Sequence, residues 1–425
     1  MQVYADMAEL ADAHGSGPCE GNFMGVRIPL SAPEALEFNS SNVFSFYGSD
    51  SRQGNRIGKE QRGMQLQQRE EAVLRDIVTP LLNWYDLHAR ILPWRENAAP
   101  YRVWVSEIML QQTRVEAVKP YYERFMDALP DIKALADAEE ATLLKLWEGL
   151  GYYNRVRNLQ KAAKIICHRY GGRFPDTYEQ ILDLPGIGSY TAGAIASIAF
   201  GLPEPAVDGN VLRVLARLQE DASDIGDARR KRQATEMLRR IYPRHRCGDF
   251  TQSLMELGAI VCLPNGEPLC RQCPLQNHCG AFAHDTQREF PVKGKRKSRK
   301  KEKKTILLLQ REDRIAIQRR PDRGLLAGLW QFPMAEGFLT EQQLRSWLEK
   351  RNLKTERIVA AGERKHIFTH IEWQMQGYAV ECLSTGDGSD LIWVTEEELK
   401  RDYSLPSAFQ LFAKCWYARK KWTDG

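Results

Sequence analysis

Long apolar runs are missing from this chain. Across its 425 residues no stretch reaches the roughly 18 uncharged apolar residues that a membrane-spanning helix needs. The opening MQVYADMAELADAHGSG carries early acids and no apolar core, so an export signal is not expected either. The chain accordingly reads as cytoplasmic, with no membrane partner. A large excess of one charge is missing too: 60 Lys and Arg stand against 55 Asp and Glu, a formal net charge of +5. That balance does not by itself mark a nucleic-acid binder. Cysteine is sparse outside one region. Of nine cysteines, Cys19, Cys167, Cys247, Cys382 and Cys415 are scattered, and without an export signal they read as reduced, inert thiols. Hydrophobic residues at 43% and aromatics at 9% suit a folded chain of two or three domains.

What is present is unevenly distributed along the chain. Residues 1–63 contain polar, glycine-rich stretches such as GSDSRQGNRIGKEQRG without sustained periodicity, and are expected to be a disordered leader or a mis-assigned start. Met64 would then open the regular structure. Residues 64–291 show helical apolar spacing almost throughout, in runs such as VWVSEIMLQQTRVEAVKPYYERFM and NVLRVLARL separated by Gly, Pro and Asp breaks, and predict an all-α domain. Residues 292–304, VKGKRKSRKKEKK, hold nine basic residues against one acid and read as a basic interdomain linker. Residues 305–425 change to strand-like stretches, TILLLQREDRIAIQRR, KHIFTHIEWQMQGYAVECL and DLIWVTEEELKRD, with a few helices between them. They predict an α+β domain.

Two features carry chemistry on their own. Cys262, Cys270, Cys273 and Cys279 stand as C-x7-C-x2-C-x5-C within residues 262–279. Structural zinc usually takes two C-x2-C pairs and only one is present, so the spacing suits an iron–sulfur cluster better, with zinc as the second reading. The other feature is LPGIGSYTAG, starting at Leu184. Gly186 and Gly188 let the backbone approach a ligand, and the N–H groups opening the next helix point at an anion such as a DNA phosphate. Further on, Asp208 sits at the mouth of a helix as a simple cap or as a charge aimed at a reacting centre.

With ILPWR, VWVSEIMLQQTRV, WEGLGYYNRVRNL and HIFTHIEW beside these features, the chain from about residue 70 resembles the adenine DNA glycosylases of the MutY type. These belong to the helix-hairpin-helix glycosylases with a 4Fe-4S cluster. The resemblance implies a multidomain fold: an all-α helix-hairpin-helix glycosylase domain, with its hairpin at about 181–195 and its iron–sulfur loop at 262–279, plus a C-terminal α+β Nudix-like domain. It implies one 4Fe-4S cluster on the four cysteines. It assigns Glu107 as the general acid that protonates adenine at N7, Asp208 as the carboxylate that stabilises the positive sugar, and Tyr190 and Asn210 as their supports. Trp94, Arg95 and Leu110 match the lining of the adenine pocket. Tyr152 matches an aromatic wedge, with Leu150, Gln112 and Thr113 around the opposite base, because a base in a duplex must be extruded before chemistry.

At position 190, relatives that also cut the strand carry a lysine that forms a Schiff base. Tyr190 cannot, so hydrolysis without strand cleavage is expected. The second domain lacks the G-x5-E-x7-R-E-x2-E-E helix that a Nudix hydrolase needs for magnesium, so it reads as a recognition fold. There Phe368, Thr369 and His370 match the loop that senses 8-oxoguanine. The chain departs from the family at Thr369, where serine is commoner, and in the seven-residue gap after Cys262, where six is usual. The implied substrate is double-stranded DNA with adenine opposite 8-oxoguanine or guanine. The implied protein is a bacterial monomer acting at the nucleoid, with repair or replication proteins as conceivable partners.

Overall fold

The computed structural model describes residues 74–294, 298–386 and 390–419. Residues 1–63, and the start of regular structure expected at Met64, lie outside them. The first part is helical: α1 (Val78–His88), α2 (Pro100–Leu110), α3 (Val115–Ala128), α4 (Ile132–Asp137), α5 (Glu140–Leu146), α6 (Asn154–Tyr170), α7 (Tyr178–Leu182), α8 (Ser189–Phe200), α9 (Gly209–Gln219), α10 (Ala228–Ile241), α11 (Cys247–Ile260) and the short α12 (Gly280–Ala283). Among the described residues no helix is long and apolar enough to cross a membrane.

These helices build two cores. One gathers the buried faces of α2 to α8, including Trp104, Phe125, Trp147 and Ile195. The other gathers α1 with α9 to α11, including Leu81, Leu215, Phe250 and Leu257. Helix α2 starts with Pro100 in its first turn, where a missing N–H breaks no helical bond. It is buried without a break from Val103 to Met109, the pattern of a helix enclosed on all sides. Polar residues on it are therefore held in a dry environment.

The run VWVSEIMLQQTRVEAVKPYYERFM, expected as one helical stretch, is broken between Leu110 and Val115. Gln112 takes φ +58°, a left-handed conformation that interrupts the helix. Arg155 of α6 holds the break open: its Nη1 donates to the carbonyls of Ile108 at 2.8 Å, Met109 at 3.2 Å and Gln111 at 2.6 Å. A guanidinium has taken over the role of the next helical turn.

The second part is a seven-stranded sheet with the central order β3-β2-β1-β6-β5, formed by β1 (Lys300–Arg311), β2 (Arg314–Arg319), β3 (Trp330–Gln331), β5 (Thr355–Ile367) and β6 (Ile371–Cys382). β4 (Met334–Glu336) pairs with β1, and β7 (Leu391–Thr395) with β2. β1 and β6 are parallel, from Lys300 against Ile371 to Gln310 against Glu381. Helix α13 (Glu341–Glu349) covers one face through Leu344 and Leu348. α15 (Ser407–Arg419) covers the other, where Phe409 and Phe412 meet Trp373 and Ile306. The stretch DLIWVTEEELKRD divides into β7 and α14 (Glu396–Asp402), the latter started by a capping box of Thr395 and Glu398.

The basic linker expected over 292–304 is shorter than that, because β1 already begins at Lys300. Strand alternation explains the difference. Lys301 and Lys303 face solvent, whereas Lys304 is buried and paired with Glu302 at 3.1 Å and Glu336 at 2.7 Å. The two parts of the molecule touch. Leu329 joins the first helical core, Arg157 donates to the Ala327 carbonyl at 2.9 Å, and Glu148 accepts from the Leu405 backbone N–H at 2.8 Å.

Candidate active site

Glu107 and Tyr190 lie on α2 and α8, helices of the first core, whereas Asp208 caps α9 and Met255 lies on α11, helices of the second, and the site forms where the two sets meet. Tyr190, at the second position of α8, donates its hydroxyl to Glu107 Oε2 at 2.7 Å and lies 3.8 Å from Met255 Sδ. Glu107 is only 6% exposed. Burial pushes its carboxyl from 4.5 up to about 7, the charge of Asp208 adds to this, and the Tyr190 hydrogen bond and Arg95 pull against it. Burial, with the charges of Glu107 and Asp208, also holds the Tyr190 phenol well above its ordinary value. The phenol stays protonated and serves as a donor. A carboxyl poised near neutrality in a dry pocket can hand over a proton at physiological pH.

Asp208 takes the first of its two alternative roles, that of a helix cap. Its Oδ1 accepts from the Val211 backbone N–H at 2.8 Å and caps α9, while Oδ2 accepts from Asn210 Nδ2 at 2.8 Å. Asn210 Oδ1 accepts in turn from Arg213 Nη2 at 2.9 Å, and Arg213 Nε donates to the Cys262 carbonyl at 3.0 Å. One chain of hydrogen bonds thus runs from the carboxylate to the cysteine loop. Gly258 permits it, since a Cβ there would meet Asn210 Cβ at 2.7 Å.

In that loop, Arg217 donates to Cys262 Sγ at 3.2 Å, and the Cys279 thiol donates to the Arg217 carbonyl at 3.4 Å. Burial pushes the Cys273 thiol up to about 12, and the charges of Cys262, Cys279 and Cys270 push the same way. Four mutually sensed thiols beside a buried arginine form a soft donor set. Among the described residues, no group of three or more His, Cys, Asp or Glu is gathered as a single metal ion would require.

The hairpin ahead of α8 turns at Gly186, with φ +79°. A Cβ there would stand 2.6 Å from Asn158 Cβ. Gly188 caps α8 without a side-chain bond, and nothing lies within 4 Å of where its Cβ would be. The first N–H groups of α8 thus have no capping side chain from Gly188.

One pair of the expected recognition residues, Tyr152 and Thr369, meets across the two parts of the molecule. Tyr152 is 40% exposed, takes φ +46°, and its hydroxyl lies 3.1 Å from Thr369 Oγ1. Phe368 packs edge-on against Trp373 at 4.9 Å, and the His370 carbonyl accepts from the Lys300 N–H at 3.0 Å. Leu150 is buried, the backbone N–H of Thr113 donates to the Leu110 carbonyl at 3.2 Å, and Gln112 Oε1 is buried with no hydrogen-bond partner. Of the expected pocket lining, Leu110 packs half-buried against the first core. Trp94 is buried in that core, edge-on to Tyr122 at 5.4 Å, and Arg95 pairs with Glu256 at 2.7 Å.

Sequence reasoning missed Arg155, Glu256, Arg213 and Arg217. The last three left a signal: a carboxylate inside SLMELGAI, and two arginines four apart inside NVLRVLARL. Charges on apolar helix faces are rarely buried unless paired. Arg155, in a polar stretch, left none.

Comparison with known proteins places residues 105–240 in a family described as HhH-GPD superfamily base excision DNA repair protein, and residues 305–414 in the NUDIX domain family. The adenine DNA glycosylase of Buchnera aphidicola subsp. Baizongia pistaciae is 37% identical over 293 residues, covering 68% of this chain and 82% of that protein. The adenine DNA glycosylase of Homo sapiens is 35% identical over 384 residues, covering 75% and 70%. Among solved structures, a thermostable thymine-DNA glycosylase is 28% identical with a TM-score of 0.45, over 51% of this chain and 98% of that one.

Proposed function

This chain belongs to the adenine DNA glycosylases and removes adenine from DNA by hydrolysing the N-glycosyl bond, and from that premise we propose that its substrate is adenine opposite 8-oxoguanine or guanine and that it leaves the strand uncut. The observation that carries this reading is the Tyr190–Glu107 hydrogen bond of 2.7 Å. It sets a phenol where a strand-cutting enzyme needs an amine, and it orients a carboxyl that burial pushes up to about 7.

In the proposed sequence Glu107 gives its proton to adenine N7 as the bond from the sugar breaks and its electron pair leaves with the base. Asp208, held by Val211 and Asn210, stabilises the cationic sugar. A water oxygen then bonds to the sugar carbon, and its proton returns to Glu107. The uncapped start of α8 would take a DNA phosphate. Tyr152 would fill the gap left by the extruded base, and Phe368, Thr369 and His370 would read the opposite 8-oxoguanine. Residues 64–291 act as the catalytic unit and 305–425 as the reading unit of a monomer. Cys262, Cys270, Cys273 and Cys279 would hold a 4Fe-4S cluster, which supplies a cross-link for the loop. Arg217 would face its negative charge.

Single-turnover assays on a duplex with adenine opposite 8-oxoguanine, each time point split between hot alkali and none, test this. Strand breaks only after alkali are expected. Breaks without alkali would reveal a lyase nucleophile, and no breaks in either half would sink the proposed substrate.

A further inference from the structure

Glu256 is a carboxylate in the apolar stretch of α11, with none of its side chain exposed. It gathers both arginines of the segment ahead of α2. Arg90 donates to it from Nε at 2.5 Å, from Nη2 at 3.1 Å and from its backbone N–H at 3.2 Å. Arg95 donates from Nη2 at 2.7 Å, and its Nη1 donates to the Arg90 carbonyl at 3.0 Å. Burial works against the charge of Glu256, but the hydrogen bonds from Arg90 and Arg95 outweigh it and hold the carboxyl below its usual range. The adjacent Met255 touches the Tyr190 hydroxyl, so this ion cluster backs onto the acid and its phenol.

The charged and titratable groups around Glu107 come from each element packed there: Tyr190 from α8, Asp208 from the cap of α9, and Arg95 from the segment before α2. Beyond them, the charge of Asp208 acts on Lys231 of α10 and Arg213 of α9, and Asp86, Asp249 and Glu256 act with Arg95 on Tyr85. Arg95 is the cation that acts on Glu107 directly. An unopposed cation near a carboxyl stabilises its ionised form and removes its proton at lower pH. A buried carboxylate 2.7 Å from that cation opposes this field.

We propose that Glu256 is a positioning residue for adenine removal, which seats Arg95 beside the acid pair and offsets its charge there. It acts through Arg95 and does not touch the reacting atoms. The inference rests on the reading of Glu107 as the acid.

The test is the single-turnover rate of adenine release, at saturating enzyme, across roughly pH 5 to 9. In the wild-type enzyme the rate falls as pH rises through the titration of Glu107. In E256Q the fall moves to lower pH by about one unit. Its deficit is therefore largest near neutrality and closes in acid, while E256D, which keeps the charge, retains the wild-type profile. A deficit in E256Q of the same factor at every pH would mean a merely structural role and overturn the proposal. If a thermal melt shows that E256Q does not fold, R95M probes the same field with the opposite sign. Its fall moves to higher pH, and an unmoved profile overturns the proposal. Wild-type inactivity opposite 8-oxoguanine but not opposite guanine would defeat the 8-oxoguanine part of the substrate reading alone, and the same series on the guanine duplex would still decide the role of Glu256.

Discussion

Glu107 owes its chemistry to the burial of the helix that carries it. Its carboxyl rises from 4.5 to about 7 first through desolvation, and the sign of the linked stability follows. The folded state binds a proton that the unfolded chain releases, so Glu107 stabilises the fold in acid and loses that contribution as pH rises through about 7. The shift corresponds to about 3 kcal/mol. In E107Q, urea unfolding should lose this downward slope between the two values, and adenine release should fall by at least ~100-fold. Equal slopes in the two proteins would show that Glu107 is not the titrating group. SEIMLQQT was legible as a site for an acid among apolar neighbours, but the size of the effect was not. It depends on Tyr190 and Asp208, which are distant in sequence and adjacent in space.

At the scale of elements, the hairpin and the interrupted helix do the work of presentation. LPGIG was legible because glycine is the residue type that reaches φ +79° without strain. Hidden from the sequence was its backing, the Asn158 side chain directly behind Gly186. G186A should therefore cost about 1–3 kcal/mol in stability and weaken binding to a duplex carrying an abasic analogue. Unchanged melting and unchanged affinity together would contradict the role given to this turn. The break after Leu110 was not legible, because its cause, Arg155, lies on another helix. Left-handed conformations at Gln112 and Tyr152 concentrate backbone strain where the DNA contacts are proposed, as functional sites commonly do.

For the whole molecule, the decisive contact is Tyr152 with Thr369, which joins the helical part to the sheet. Both residues were candidates from the sequence, each for its own reason, and nothing in their spacing brought them together. T369V keeps the shape and removes the hydroxyl. One net hydrogen bond corresponds to a factor of about three to ten, so the preference for 8-oxoguanine over guanine opposite adenine should shrink by that amount in competitive single-turnover assays. A preference equal to wild type would separate Thr369 from recognition.

The sequence by itself determined the helical and strand-bearing parts, the glycine hairpin, the four-cysteine spacing and the absence of a lysine at position 190. Each is a local property, written in periodicity, in residue type or in short spacing. Only the tertiary structure decided that two helical cores close on Glu107, that Glu256 faces Arg95, that Arg155 breaks a helix and that Lys300 already belongs to a strand. These depend on burial and on pairing between residues far apart in the chain, and burial is what turns an ordinary carboxylate into an acid at neutral pH.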